Sequence, residues 1–88
     1  MWQITETDTY LKNLKKLKKS GLEKDRLIVA IKYLTSKDDP TLCGEPKSYN
    51  LKYHYAYELG RSIRLIFRVD KESKIIWFVN IGNHKDVY

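Results

Sequence analysis

Gly60-Arg61-Ser62-Ile63-Arg64-Leu65-Ile66-Phe67-Arg68-Val69-Asp70-Lys71-Glu72-Ser73-Lys74-Ile75-Ile76-Trp77-Phe78-Val79-Asn80-Ile81-Gly82 is the stretch that decides the fold. Ile63, Leu65, Phe67 and Val69 alternate with Arg64, Ile66 and Arg68. That period of two describes a half-buried strand with arginines on its second face. Asp70-Lys71-Glu72-Ser73 is a polar hairpin loop, and residues 74–82 form an apolar last strand that ends on a glycine turn. Tyr53 to Leu59 alternates too, with Tyr53, Tyr55 and Tyr57 on one face and His54, Ala56 and Glu58 on the other. Gly60-Arg61 is the turn between them, so the three strands make an antiparallel meander.

Ahead of the meander the period changes. Residues 8–19 set Tyr10, Leu11, Leu14 and Leu17 on one face of a helix, with Lys12, Lys15, Lys16, Lys18 and Lys19 on the rest. Thr5 with Asp8, or Thr7, offers its N-cap. Ser20-Gly21 ends it, and Ser20-Gly21-Leu22-Glu23 also reads as a capping box for a second helix over about 22–35, with Leu27, Ile28, Ile31 and Leu34 at helical spacing. So short a turn makes the two helices an antiparallel hairpin. Asp39-Pro40 stops helix two, and residues 36–50 hold both prolines and Gly44, which reads as loop. Trp2-Gln3-Ile4-Thr5 alternates as a short first strand that pairs with a meander strand. The expectation is an α+β fold, β-α-α-β-β-β, whose antiparallel sheet is covered on one face by the helical hairpin.

Eighty-eight residues allow one domain over 1–88, near the lower limit for a self-sufficient core. A hydrophobic content of 42% with 12% aromatics is that of a folded chain. Lys and Arg total 17 against 11 Asp and Glu, a net charge of +6, which favours an anionic partner. Residues 1–37 carry nine basic and four acidic groups, whereas 38–60 carry two and four. Cys43 stands alone, so an intrachain disulfide is impossible and a reducing compartment fits. No apolar stretch reaches the roughly 20 residues that span a bilayer, and the first residues lack an apolar signal core. A cytoplasmic protein without a membrane partner is expected.

The chemistry gathers at two places. Arg64 and Arg68 lie four residues apart on one strand face, about 13 Å along the strand, Arg61 sits at the turn, and His84 and Tyr88 follow Gly82 off the end of the last strand. Guanidinium groups grip phosphate bidentately, tyrosines stack on bases, and an imidazole moves protons near neutral pH. The same residues also fit a solvated face whose arginines pair with Asp70, Glu72 or Glu58, and a capped last strand. Lys15, Lys16 and Lys19, with the other helix-one lysines, make either a solvated face or a patch for the backbone of a large RNA. Two histidines without a cysteine pair or acidic cluster are a weak metal signal. The four glycines are isolated, so no phosphate loop is present.

Residues 60–69 and the ending Ile81-Gly82-Asn83-His84-Lys85-Asp86-Val87-Tyr88 resemble the RelE/ParE superfamily of bacterial and archaeal toxins from toxin–antitoxin operons. The first looks like that family's Arg-Leu-Ile-aromatic-x-Val strand, and the second like its Ile-Gly-x-His-x-x-x-aromatic ending. The resemblance covers essentially the whole chain and implies an endoribonuclease that cuts mRNA on the ribosome, without metal or other cofactor, and is neutralised by a cognate antitoxin. It implies that Arg64 binds phosphate, His84 transfers a proton and Tyr88 orients or stacks on the RNA. Arg61, Arg68, His54, Lys52, Lys15, Lys16 and Lys19 are then the RNA-binding set. Many members carry basic residues on the strand before the Arg-Leu strand; here it reads Tyr53-His54-Tyr55-Ala56-Tyr57, which leaves the general base open, with His54 a substitute. The alternative is a non-nucleolytic module, either a ParE-like gyrase inhibitor or an inactive toxin homologue that only binds its antitoxin.

Overall fold

The computed structural model describes residues 2–19, 24–46, 54–60 and 62–83. Strand β1 (Gln3–Glu6) leads into helix α1 (Asp8–Lys19) and helix α2 (Lys24–Ser36), followed by a 3-10 helix (Pro40–Cys43). Strands β2 (Glu45–Pro46), β3 (Tyr55–Gly60), β4 (Ile63–Asp70) and β5 (Ile75–Asn83) complete the described chain.

Thr7, not Thr5, caps α1. Its hydroxyl accepts the Tyr10 N–H at 3.2 Å, the third donor of the first turn. The same hydroxyl donates to the Val79 carbonyl at 2.8 Å, which ties the helix start to β5. Asp8 in the first turn and Lys16, Lys18 and Lys19 in the last match the helix dipole. The second helix starts at Lys24 in the described chain; the Ser20–Glu23 capping box lies outside the described residues, as does Tyr53.

The strands form one sheet in the order β1-β5-β4-β3-β2. The expected meander of β3, β4 and β5 is present, each pair antiparallel. The first strand joins parallel to β5, from Gln3 opposite Ile75 to Glu6 opposite Phe78. A right-handed crossover through a helix is the usual way to make such a parallel neighbour, although here two α-helices, the 3-10 helix and three strands intervene. Residues 36–50 are not all loop. Asp39 caps the 3-10 helix by accepting the Thr41 N–H at 3.1 Å, with Pro40 at the first position, where its missing N–H costs nothing. Glu45 and Pro46 then pair with Ala56 and Tyr55 as an edge strand, a place where proline is tolerated. Gly44 lies against the buried Phe67 ring; a methyl group there would stand 2.8 Å from Phe67 Cε1.

Both helices cover the same face of the sheet. Tyr10 and Leu14 from α1, and Leu27, Ala30 and Leu34 from α2, pack with Leu59, Leu65, Phe67, Ile76, Phe78 and Ile81. Each buried Leu, Ile or Phe among them contributes about 1.5–3 kcal/mol by leaving water. The Tyr10 ring lies tilted on Phe78 at 5.3 Å, and burial pushes its hydroxyl pKa up. Trp2 closes one end, its indole N–H donating to the Lys37 carbonyl at 2.9 Å. Leu11 and Ile28, expected on the core faces, are 45% and 46% exposed.

Two irregularities shape the sheet near its working end. The β4–β5 register shifts between Ile66 and Phe67, leaving Val79 as an extra residue on β5. Past the bulge, Asn80 Oδ1 accepts the Asn13 side-chain amide of α1 at 2.6 Å. The β3–β4 turn bends at Gly60, whose φ of +97° lies where a side chain is strained. Arg26 of α2 reaches this turn and donates from Nη1 to the Leu59 carbonyl at 3.1 Å.

Candidate active site

Arg64 occupies the sheet face that the helices leave uncovered, since its neighbours Ile63 and Leu65 point into the main core. Its Cα partners are Glu58 on β3 and Gly82 on β5. Cross-strand partners share a face. Arg64 Nη1 accordingly meets Glu58 Oε1 at 3.1 Å, with 23% of the arginine side chain and 62% of the glutamate side chain exposed. The contact is an ion pair without an aimed hydrogen bond: Arg64 Nη1 is buried and has no hydrogen-bond partner among the described residues. A pair with so exposed a partner contributes about 0–1 kcal/mol. A buried donor left unsatisfied costs about 1–3 kcal/mol. The second effect is the larger, so Glu58 does not satisfy this guanidinium.

Arg68 is exposed on the same face and opposite Trp77. Its charge is a minor contributor to the low pKa of Asp70, whose carboxyl is held down first by the Ser73 N–H and also by the Glu72 N–H. Between the two arginines Ile66 is buried with Ala56, against Val79. His54 stands one residue before β3 and is half-buried. The β3–β4 register, continued one step beyond Tyr55 and Phe67, sets it level with Arg68. Four residues separate it from Glu58, about 13 Å along a strand, so the structure does not bring His54 to Arg64.

One expectation needs correction. Tyr55 and Tyr57 do not share the arginine face: both pack against the main core, Tyr55 stacked on Phe67 at 5.7 Å and Tyr57 tilted on Tyr33 at 5.9 Å. Alternation along β3 sends these large apolar rings inward, and burial raises the Tyr57 hydroxyl pKa. The aromatic that does accompany the arginines is Trp77, which the strand register alone identifies. Lys15, Lys16 and Lys19 are exposed on α1. Lys16 lines a cavity of about 320 Å³ with Asn13, Leu17, Ile81 and Gly82, on the helix side of the sheet. Arg61, Lys52, His84 and Tyr88 lie outside the described residues.

Cys43 is half-buried beside Tyr33 and Leu42, and burial pushes its thiol pKa up, away from a reactive thiolate. Among the described residues no His, Cys, Asp and Glu side chains cluster as a metal site, and no helix is long and apolar enough to cross a membrane.

No family model matches the chain, and no curated protein does. Solved structures do. A metal-bound toxin from Helicobacter pylori superposes over 100% of both chains with a TM-score of 0.85 at 22% identity. The fold is that of the RelE-like toxins. The Escherichia coli DinJ–YafQ toxin–antitoxin complex contains a chain that matches 99% of this one and 97% of its own length, with a TM-score of 0.78 at 18% identity. The toxin–antitoxin complex RelBE2 from Mycobacterium tuberculosis matches over 94% and 98%, with a TM-score of 0.64 at 20% identity. The RelE-like sheet here keeps its helices on one side and leaves the Arg64 face to other contacts.

Proposed function

We propose that this chain is the toxin of a type II toxin–antitoxin pair. It acts as a single cytoplasmic domain over residues 1–88, an endoribonuclease that cuts mRNA on the ribosome without a metal and is silenced by a cognate antitoxin. The supporting observation is the state of Arg64: a guanidinium on the sheet face opposite the helices, with a buried donor that has no hydrogen-bond partner among the described residues, paired in register with Gly82, two residues ahead of His84. The toxins of the same fold, two of them solved with antitoxins, support the reading.

In the proposed reaction the RNA 2′-oxygen attacks the adjacent phosphorus while a base takes its proton. The P–O bond to the 5′-oxygen breaks, and that oxygen is protonated as it leaves. Arg64, helped by Arg61, stabilises the charge that builds on the phosphorane oxygens, and Arg68, four positions along the strand, contacts the RNA farther out. His84 has the intrinsic pKa for one of the proton transfers. Tyr88 orients the RNA, and the α1 lysines hold backbone phosphates of the ribosome. An acidic or amphipathic antitoxin gains on-rate from the +6 charge of the chain. Expression without the antitoxin should arrest growth, with primer extension showing in-frame cuts in a reporter message. Intact messages with inhibited DNA supercoiling would select the ParE-like reading instead, and intact messages with normal growth an inactive homologue.

A further inference from the structure

The geometry points to Glu58 as the resident counter-ion of Arg64: it holds the guanidinium in place between turnovers and yields that position to the incoming phosphodiester. This rests on the phosphate-binding role proposed for Arg64 and adds a positioning residue to it. The two side chains face each other across β3 and β4 as Cα partners, and their charged ends stand 3.1 Å apart. Their burial is unequal, 23% exposed for Arg64 and 62% for Glu58. The arginine is therefore the fixed member and the carboxylate the one that can swing into water. The pairing is also poorly aimed, because the buried Nη1 has no hydrogen bond among the described residues. A phosphate presents two oxygens to a guanidinium fork, whereas Glu58 brings one oxygen to one edge. Exchange of carboxylate for phosphate replaces a misaligned contact with an aligned one.

The consequence is an affinity lowered by the protein's own anion. Removing the charge while keeping the shape, Glu58→Gln, should tighten binding of a short 2′-deoxy oligonucleotide, which cannot be cleaved, by roughly threefold, the scale of an exposed ion pair. Glu58→Ala should do the same. The cleavage kcat/KM of both variants should rise, with the gain in KM. The Arg64 Nε–H resonance should shift at lower oligonucleotide concentration in Glu58→Gln than in the parent, a readout that a merely structural role would leave alone. In an Arg64→Ala background the Glu58 substitutions should bring no tightening. Equal or weaker binding by both Glu58 variants would overturn the inference. So would a loss of cleavage of about 100-fold at unchanged affinity, which would make Glu58 a proton-transfer group. If Arg64→Ala weakens binding and the Glu58 variants do not tighten it, this inference fails and the role of Arg64 stands. If Arg64→Ala binds as the parent does, both fail.

Discussion

Gly60→Ala should destabilise the protein by about 2–3 kcal/mol, from two separable causes. The first is conformational. At φ +97° a side chain is strained, and a left-handed backbone costs an L-residue roughly 1–2 kcal/mol. The second is steric. The added methyl group would overlap Arg26 Nη1, the atom that donates to the Leu59 carbonyl. Arg26 is exposed and can retreat, at the loss of one hydrogen bond worth about 1 kcal/mol. For a domain of this size each kcal/mol lowers Tm by about 4–8 °C, so the variant should melt roughly 10–20 °C early. A double-mutant cycle followed by thermal denaturation separates the two causes. In an Arg26→Ala background the clash is gone, and Gly60→Ala should cost only the conformational part, with a coupling near 1 kcal/mol. The same loss in both backgrounds would refute the clash, and no loss in either would refute the turn geometry itself.

Arg64→Ala should cut single-turnover cleavage on programmed ribosomes by about 10²–10³-fold while moving Tm by only a few degrees, since its partner Glu58 is largely exposed; parental cleavage by a folded variant would remove Arg64 from the site. His84→Ala should lower cleavage by roughly 10²–10⁴-fold with ribosome binding kept, and deletion of Tyr88 should also slow it; normal cutting by both would end the proposal for the chain's last residues. Asp70 and Asp39 are held below the ordinary carboxylate pKa, Asp70 first by the Ser73 N–H and Asp39 first by the Thr41 hydroxyl. Their stabilisation is therefore full above about pH 4 and fades as pH falls through the depressed folded values. Denaturant melts between pH 2 and 5 should show a shallower acid limb in Asp70→Ala than in the parent, and identical limbs would contradict it.

The local parts of the fold were legible because their signals are local. The span of α1 follows from Tyr10, Leu14 and Leu17 at helical spacing, and β3 to β5 follow from alternation between short turns. The parallel pairing of β1 was not legible, since four residues hold too little pattern to choose among the distant meander strands. The 3-10 helix and β2 were hidden by Pro40 and Pro46, which usually mark loops but here cap a turn and lie on a sheet edge. Glu58 was one of three acidic partners that the sequence offered the arginines, and the hairpin register selects it. Trp77 was available by the same logic, once the bulge at Val79 was known. The inward turn of Tyr55 and Tyr57 follows from the period of two; their hydroxyls misled by promising a ligand where their rings serve the core.

The place of β5 between β1 and β4 has a consequence for how the chain comes into being. During synthesis β1 and α1 leave the ribosome first, yet the strand against which both settle, Ile75–Asn83, is made last. Until it emerges, Tyr10 has no Phe78 to lie on and the Thr7 hydroxyl has no Val79 carbonyl to reach. Contacts this distant in sequence form slowly. A nascent fragment that stops before residue 75 therefore holds the lysine-rich helix, Arg64 and Glu58 without the strand that organises them. On this topology, any activity that depends on the folded sheet begins only once β5 has been made.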